Sequence, residues 1–143
     1  MDEAAFAQAR VGANPAPCVF EKALLARCAQ CELAQRHALA ERELVACPSP
    51  TARTNCATLA ALLHERATFA LRLPRPGEPL PHARAMQLQC GGLQGLRNAL
   101  AAPEADVHRM VMQAHAHSAS LLELPWEAIV RDIAAWQLRR RRC

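Results

Sequence analysis

CPSPTARTNC, residues 47–56, holds the sharpest structural punctuation in the chain. Cys47-Pro48 stops a helix, because the residue before a proline is pushed out of helical geometry. Ser49-Pro50 opens the next one, with serine as N-cap and proline in the first turn. Beyond it Cys56, Leu59, Leu63, Ala67 and Ala70 form an apolar stripe that predicts a helix to about residue 73. Before it, from about 18 to 46, Phe20, Leu24, Cys28, Cys31, Ala34, Ala38 and Val45 recur at three- and four-residue spacing. Glu21, Glu32 and Arg36 supply helix-compatible charges on the other faces. The expectation is a helical hairpin over 18–73 with a very tight corner and no strand.

Outward from the hairpin, a short helix is expected over 2–10, stopping before Gly12 and Asn14-Pro15-Ala16-Pro17. On the other side Pro74, Pro76, Pro79 and Pro81 make residues 74–81 an extended surface connector. Met86, Cys90, Leu93, Leu96 and Leu100 align a helix over 82–100. Gly91-Gly92 weakens it by roughly 1 kcal/mol per glycine relative to alanine. Either the helix breaks there, or the missing side chains admit another backbone or a cofactor. Pro103-Glu104 starts a fifth helix to about 122, with Val107, Val111, Ala114, Ser118 and Leu121 facing in. Pro125 starts a sixth on Trp126, Ile129, Val130 and Ile133, with Trp136 or Ala134. The fold class expected is therefore all-α: a compact bundle of five or six helices in a single domain, 1–143. It comprises the cysteine-bearing hairpin 18–73, C-terminal helices 82–138 and a basic tail 139–143.

Composition agrees. Of 143 residues, 52% are hydrophobic and 21% charged, while Tyr is absent and aromatics total 3%, which argues against a β-rich fold. No apolar run approaches the roughly 18 residues of a membrane span, so an integral membrane protein is not expected. Met1-Asp2-Glu3 lacks the basic-then-apolar layout of a secretory signal, which points to the cytoplasm. The net charge of +4 equals the charge of Arg139, Arg140, Arg141 and Arg142, leaving 13 basic against 13 acidic residues elsewhere. A nucleic-acid binder carries its charge as a stripe on the folded surface, so nucleic acid is not an expected partner. The Arg139–Arg142 tail suits a frayed helix end or contact with an acidic surface.

Seven cysteines, at 18, 28, 31, 47, 56, 90 and 143, are the functional signal, and five of them fall between 18 and 56. In a reducing compartment such clustering favours metal or redox chemistry over a disulfide framework. Cys28 and Cys31 share a helical face, and Cys47 and Cys56 flank the corner. Cys31 would lie roughly 24 Å from Cys47 along a straight helix. One site using both therefore requires the 18–46 segment to break around 28–32 or 37–41. Given that break, Cys18, Cys31, Cys47 and Cys56 surround one site, with Cys28 as an alternate for Cys18. Four thiolates suit an iron–sulphur cluster or a structural zinc. The wide Cys47–Cys56 spacing, away from short knuckles, points to iron–sulphur. Cys90 beside Gly91-Gly92 is a further ligand or a buried core thiol, and Cys143 is no ligand. Cys28-x-x-Cys31 as a dithiol redox pair is the remaining chemical option. His37, His64, His82, His108, His115 and His117 read as surface residues. No phosphate loop, nucleophile elbow or H-E-x-x-H is present, so an enzyme is not the leading expectation.

Cys18-Val-Phe-Glu-Lys-Ala-Leu-Leu-Ala-Arg, then Cys31, Ala40-Glu-Arg-Glu, Cys47 and Cys56, with Gln89-Cys90-Gly-Gly-Leu later, resembles a group of small proteobacterial cysteine-rich helical proteins. The resemblance covers about 18 to 96 and implies an iron–sulphur site at Cys18, Cys31, Cys47 and Cys56. The function expected is a small cytoplasmic iron–sulphur protein, 4Fe–4S before 2Fe–2S, serving electron transfer or redox sensing with a redox or regulatory protein partner. The alternatives are a zinc-stabilised or metal-free helical interaction module and a C-x-x-C thiol–disulphide oxidoreductase.

Overall fold

A computed structural model describes residues 4–5, 8–9, 12, 14–75 and 77–137. The expected helix over 2–10 falls largely outside these residues, as does the tail 139–143. The long helix expected over 18–46 is replaced by three short pieces, so the chain is mostly helical but not all-α. Helix α1, Glu21–Leu25, ends where Arg27 takes a left-handed conformation at φ 63°. The Cys28 amide then donates back to the Ala23 carbonyl at 2.9 Å, a cap that turns the chain away. Strands β1, Gln35–Leu39, and β2, Arg42–Ala46, follow as an antiparallel hairpin with Gln35 opposite Ala46 and Leu39 opposite Arg42. Ala40, at φ 58°, turns its tip.

The hairpin earns its place by burial on both faces of β2, since neighbouring Leu44 and Val45 are 1% and 0% exposed. A helix would splay two adjacent residues to one broad face, whereas a strand sends them to opposite sides. The buried Glu21 carboxylate accepts the Val45 amide at 2.8 Å, fastening α1 to β2. The segment before α1 runs beside β2, with Cys18 N–H donating to Val45 O at 2.9 Å and Cys47 N–H to Ala16 O at 3.0 Å.

Helix α2, Pro50–Leu71, begins as expected: Ser49 Oγ accepts the Ala52 amide at 3.1 Å, with proline in the first turn. Leu59, Leu63, Ala67 and Leu71 are its buried stripe; Ala70, expected to face inward, is exposed. The described residues of 74–81 carry no regular element. Helix α3, His82–Met86, continues through a π-helical turn, Gln87–Gly91, into α4, Gly92–Leu100. The two glycines therefore do not break the helix. Gly91 admits another backbone, since a Cβ there would lie 3.0 Å from Ile133 Cα. Gly92 instead makes room for the Leu63 side chain, 2.7 Å from its Cβ position; further on, a Cβ on Gly95 would lie 3.1 Å from Ile129 O. Helix α5, Val107–His117, is capped by Asp106, and α6, Trp126–Ala135, is the helix against which Gly91 and Gly95 pack. Both are shorter than expected. A 3₁₀ turn, Leu121–Glu123, separates them, and its Leu121 carbonyl accepts the Trp126 indole N–H at 3.0 Å. One apolar core runs from Phe20 and Val45 through Leu59, Leu63, Leu93 and Met110 to Ile133.

Candidate functional site

Each of four cysteines is delivered by a different local device. Cys18 is held beside Cys47 by the backbone pairing of residues 16–18 along the end of β2, with Pro17 bridged to Ala46. Cys31 is carried by a parallel bridge between Gln30 and Asp106, in which Gln30 N–H donates to Ala105 O at 3.0 Å and Val107 N–H to Gln30 O at 2.8 Å. That bridge sets Cys31 against the N-terminus of α5. Cys47 precedes α2, its thiol donating to the Ser49 carbonyl at 3.7 Å. Cys56 lies in the second turn of the same helix.

The four thiols line one small cavity of about 20 Å³, together with Val19, Leu33, Ala34, Ala52, Arg53, Val107 and His108. Its wall is almost wholly apolar, and the first turns of α2 and α5 both face it. The volume is that of about one water molecule. Among the described residues, no three His, Cys, Asp or Glu side chains converge closely enough to hold a single metal ion.

Burial governs the thiols. It pushes Cys18 up to about 11, against a backbone N–H from Phe20, with Cys31 and Cys47 adding to the rise. Cys56 is pushed up to about 12 by burial and by its three cysteine neighbours, Cys18, Cys31 and Cys47. Cys31 is raised by burial, opposed by backbone N–H groups of Leu33, His108 and Ala34. These amides are donors aimed at sulfur, and they favour a thiolate once its proton leaves. The metal-free thiols of Cys18, Cys31 and Cys56 are therefore neutral at physiological pH, and any metal must displace their protons.

Cys28 and Cys90, the two alternates, go elsewhere. They form a disulfide with Cα atoms 5.6 Å apart, and neither lines the cavity. Cys28 therefore pairs across the fold rather than with Cys31, and not all seven cysteines are thiols as expected. Among the histidines, His108 borders the cavity, its Nε2 3.8 Å from a Glu32 oxygen. His64 Nε2 lies 3.2 Å from Pro74 O, while His82, His115 and His117 are exposed. His37, expected at the surface, has a buried Nε2 with no partner.

Arg53 is the cavity residue that the sequence reading passed over. Its Nε is buried and has no hydrogen-bond partner. Its position three residues before Cys56 on one helix was the available signal, because that spacing shares a face.

No family description, curated protein or solved structure matches the chain.

Proposed function

We propose that the protein binds an iron–sulphur cluster through Cys18, Cys31, Cys47 and Cys56 and serves electron transfer or redox sensing. The observation that carries this reading is the meeting of four thiols, from four separate devices of the fold, on one apolar cavity. The donor set is all sulfur, which suits iron–sulphur or zinc. Backbone amides from Leu33, Ala34 and His108 toward Cys31, and from Phe20 toward Cys18, supply hydrogen bonds that stabilise ligating thiolates. The positive ends of α2 and α5 favour negative charge in the same space. The unpartnered Arg53 Nε is a donor that an anionic occupant would satisfy.

When bound, the cluster would supply a redox couple. Four protein thiolates would leave it no open coordination position, which favours electron transfer or sensing over substrate chemistry. The apolar wall would exclude water, and Cys31 and Cys56 would hold it between the N-terminal turns of two helices. A multi-atom cluster needs the thiols to turn outward, because the cavity now has room for about one water. That small volume favours a second reading, a single zinc in a helical interaction module, which needs the same thiols to converge at about 2.3 Å from one point. Among the described residues no helix is long and apolar enough to cross a membrane. A cytoplasmic location remains part of the proposal. There the Cys28–Cys90 bridge would face a reducing thiol pool.

The test is the visible spectrum of protein purified without oxygen, with its iron, sulphide and zinc content. Matched iron and sulphide, lost in Cys47→Ser and Cys56→Ser and kept in Cys143→Ser, is the expected result. Stoichiometric zinc without iron would establish the second reading, and cofactor retained in both serine variants would overturn the ligand assignment.

A further inference from the structure

We infer that Arg53 is the counter-charge of the site: its Nε–H donates to a sulfur of the cluster or of a ligating thiolate and raises the cluster's reduction potential. This rests on the reading above and adds to it the residue that sets the couple. Three observations carry it. Arg53 Nε is buried without a hydrogen-bond partner. The residue lines the same cavity as the four thiols, where His108 is the other basic side chain. It sits in the first turn of α2, one turn before Cys56.

A buried donor left unsatisfied is costly, so its persistence calls for an explanation. The side chains sharing its cavity are apolar apart from the four thiols and His108, and a neutral thiol is only a weak acceptor. Thiolate or sulfide sulfur is a far better one, because a charged acceptor strengthens the bond. Arginine also stays protonated under all these conditions. It stabilises the more negative, reduced state of the cluster more than the oxidised state, and the potential rises accordingly. The same logic predicts opposite effects with and without the cluster. Removing the guanidinium relieves an unmatched donor in the metal-free protein and removes a matched one in the loaded protein.

The experiment uses the full chain purified without oxygen, as wild type, Arg53→Met and Arg53→Lys. Iron and sulphide content of the wild type is read first, and their absence overturns the proposed function and this inference with it. In a loaded wild type, the expected results for Arg53→Met are a lower midpoint potential and several-fold faster loss of iron to a chelator. Its metal-free form should melt no lower than metal-free wild type. Arg53→Lys, which keeps the charge without the planar fork, should give an intermediate potential. Equal potentials in wild type and Arg53→Met would sink the inference, as would a metal-free Arg53→Met that melts well below wild type, which would make Arg53 structural. Should Arg53→Met fail to hold the cluster, the lysine variant decides alone: a lowered potential supports the inference and an unchanged one overturns it.

Discussion

Cys18 and Cys56 hold their protons to about pH 11 and about pH 12, while the same thiols in an unfolded chain ionise near 9.0. From pH 9.0 upward the unfolded chain releases protons that the folded one keeps, so the metal-free fold should lose stability progressively up to about pH 12. Denaturant midpoints of chelator-treated protein at pH 8, 9.5 and about 11 would check this, and a flat profile would contradict the burial of these thiols. Metal uptake runs the other way: it releases protons, so affinity should rise with pH. Raised thiols are also slow nucleophiles, which sets them apart from the depressed thiols of disulphide-exchange enzymes. At this scale the meeting of Cys18, Cys31, Cys47 and Cys56 on one cavity was legible from cysteine positions, given a break in the 18–46 segment. Arg53 was not, since a lone arginine on a helix carries no mark of burial until its neighbours are known.

Helix α2 was legible because Ser49-Pro50 states its start in side-chain chemistry. Ser49→Ala should cost about 1 kcal/mol, measured by urea denaturation, through loss of the bond to the Ala52 amide. The 18–46 segment was misread for an equally specific reason. Its helical period was carried largely by alanine and cysteine, which mark a face weakly, while its turning points carry none of the usual signals. Arg27 occupies the left-handed cap position usually given to glycine. Ala40-Glu41 turns the hairpin without asparagine or glycine. The break that a single four-cysteine site required is nonetheless there, after Leu25 and again at residues 40–41. Of the two outcomes expected at Gly91-Gly92, a break or a close approach, the structure has the close approach. Gly91→Ala would bring a Cβ to 3.0 Å from both Ile133 Cα and Trp136 Cβ. Such overpacking should destabilise by roughly 1–3 kcal/mol, with a lowered urea midpoint as the check.

In the molecule as a whole, the core reaches the candidate site from both halves of the chain, because Cys31 hangs from a bridge to Asp106 at the start of α5. Mostly helical architecture was legible in the absence of tyrosine and the wealth of alanine. The disulfide was not, since no spacing rule relates residues 62 positions apart. Replacing Cys28 and Cys90 together by serine should cost about 2–4 kcal/mol, read as a lower unfolding midpoint under oxidising conditions only. With reductant present, wild type and the double variant should converge.

The Cys28–Cys90 bridge also changes what a cut chain would be. It closes a covalent ring that contains Cys31, Cys47, Cys56 and the proline-rich connector, with Cys18 on a strand of chain leading into it. Arg72, exposed and followed by Leu73, offers trypsin a site at the connector's edge. A single nick there would open the ring without parting the molecule. Nicked protein should run as one species on a gel without reductant and as two pieces with it, and all four thiols should stay in the parent-sized band until the bridge is reduced.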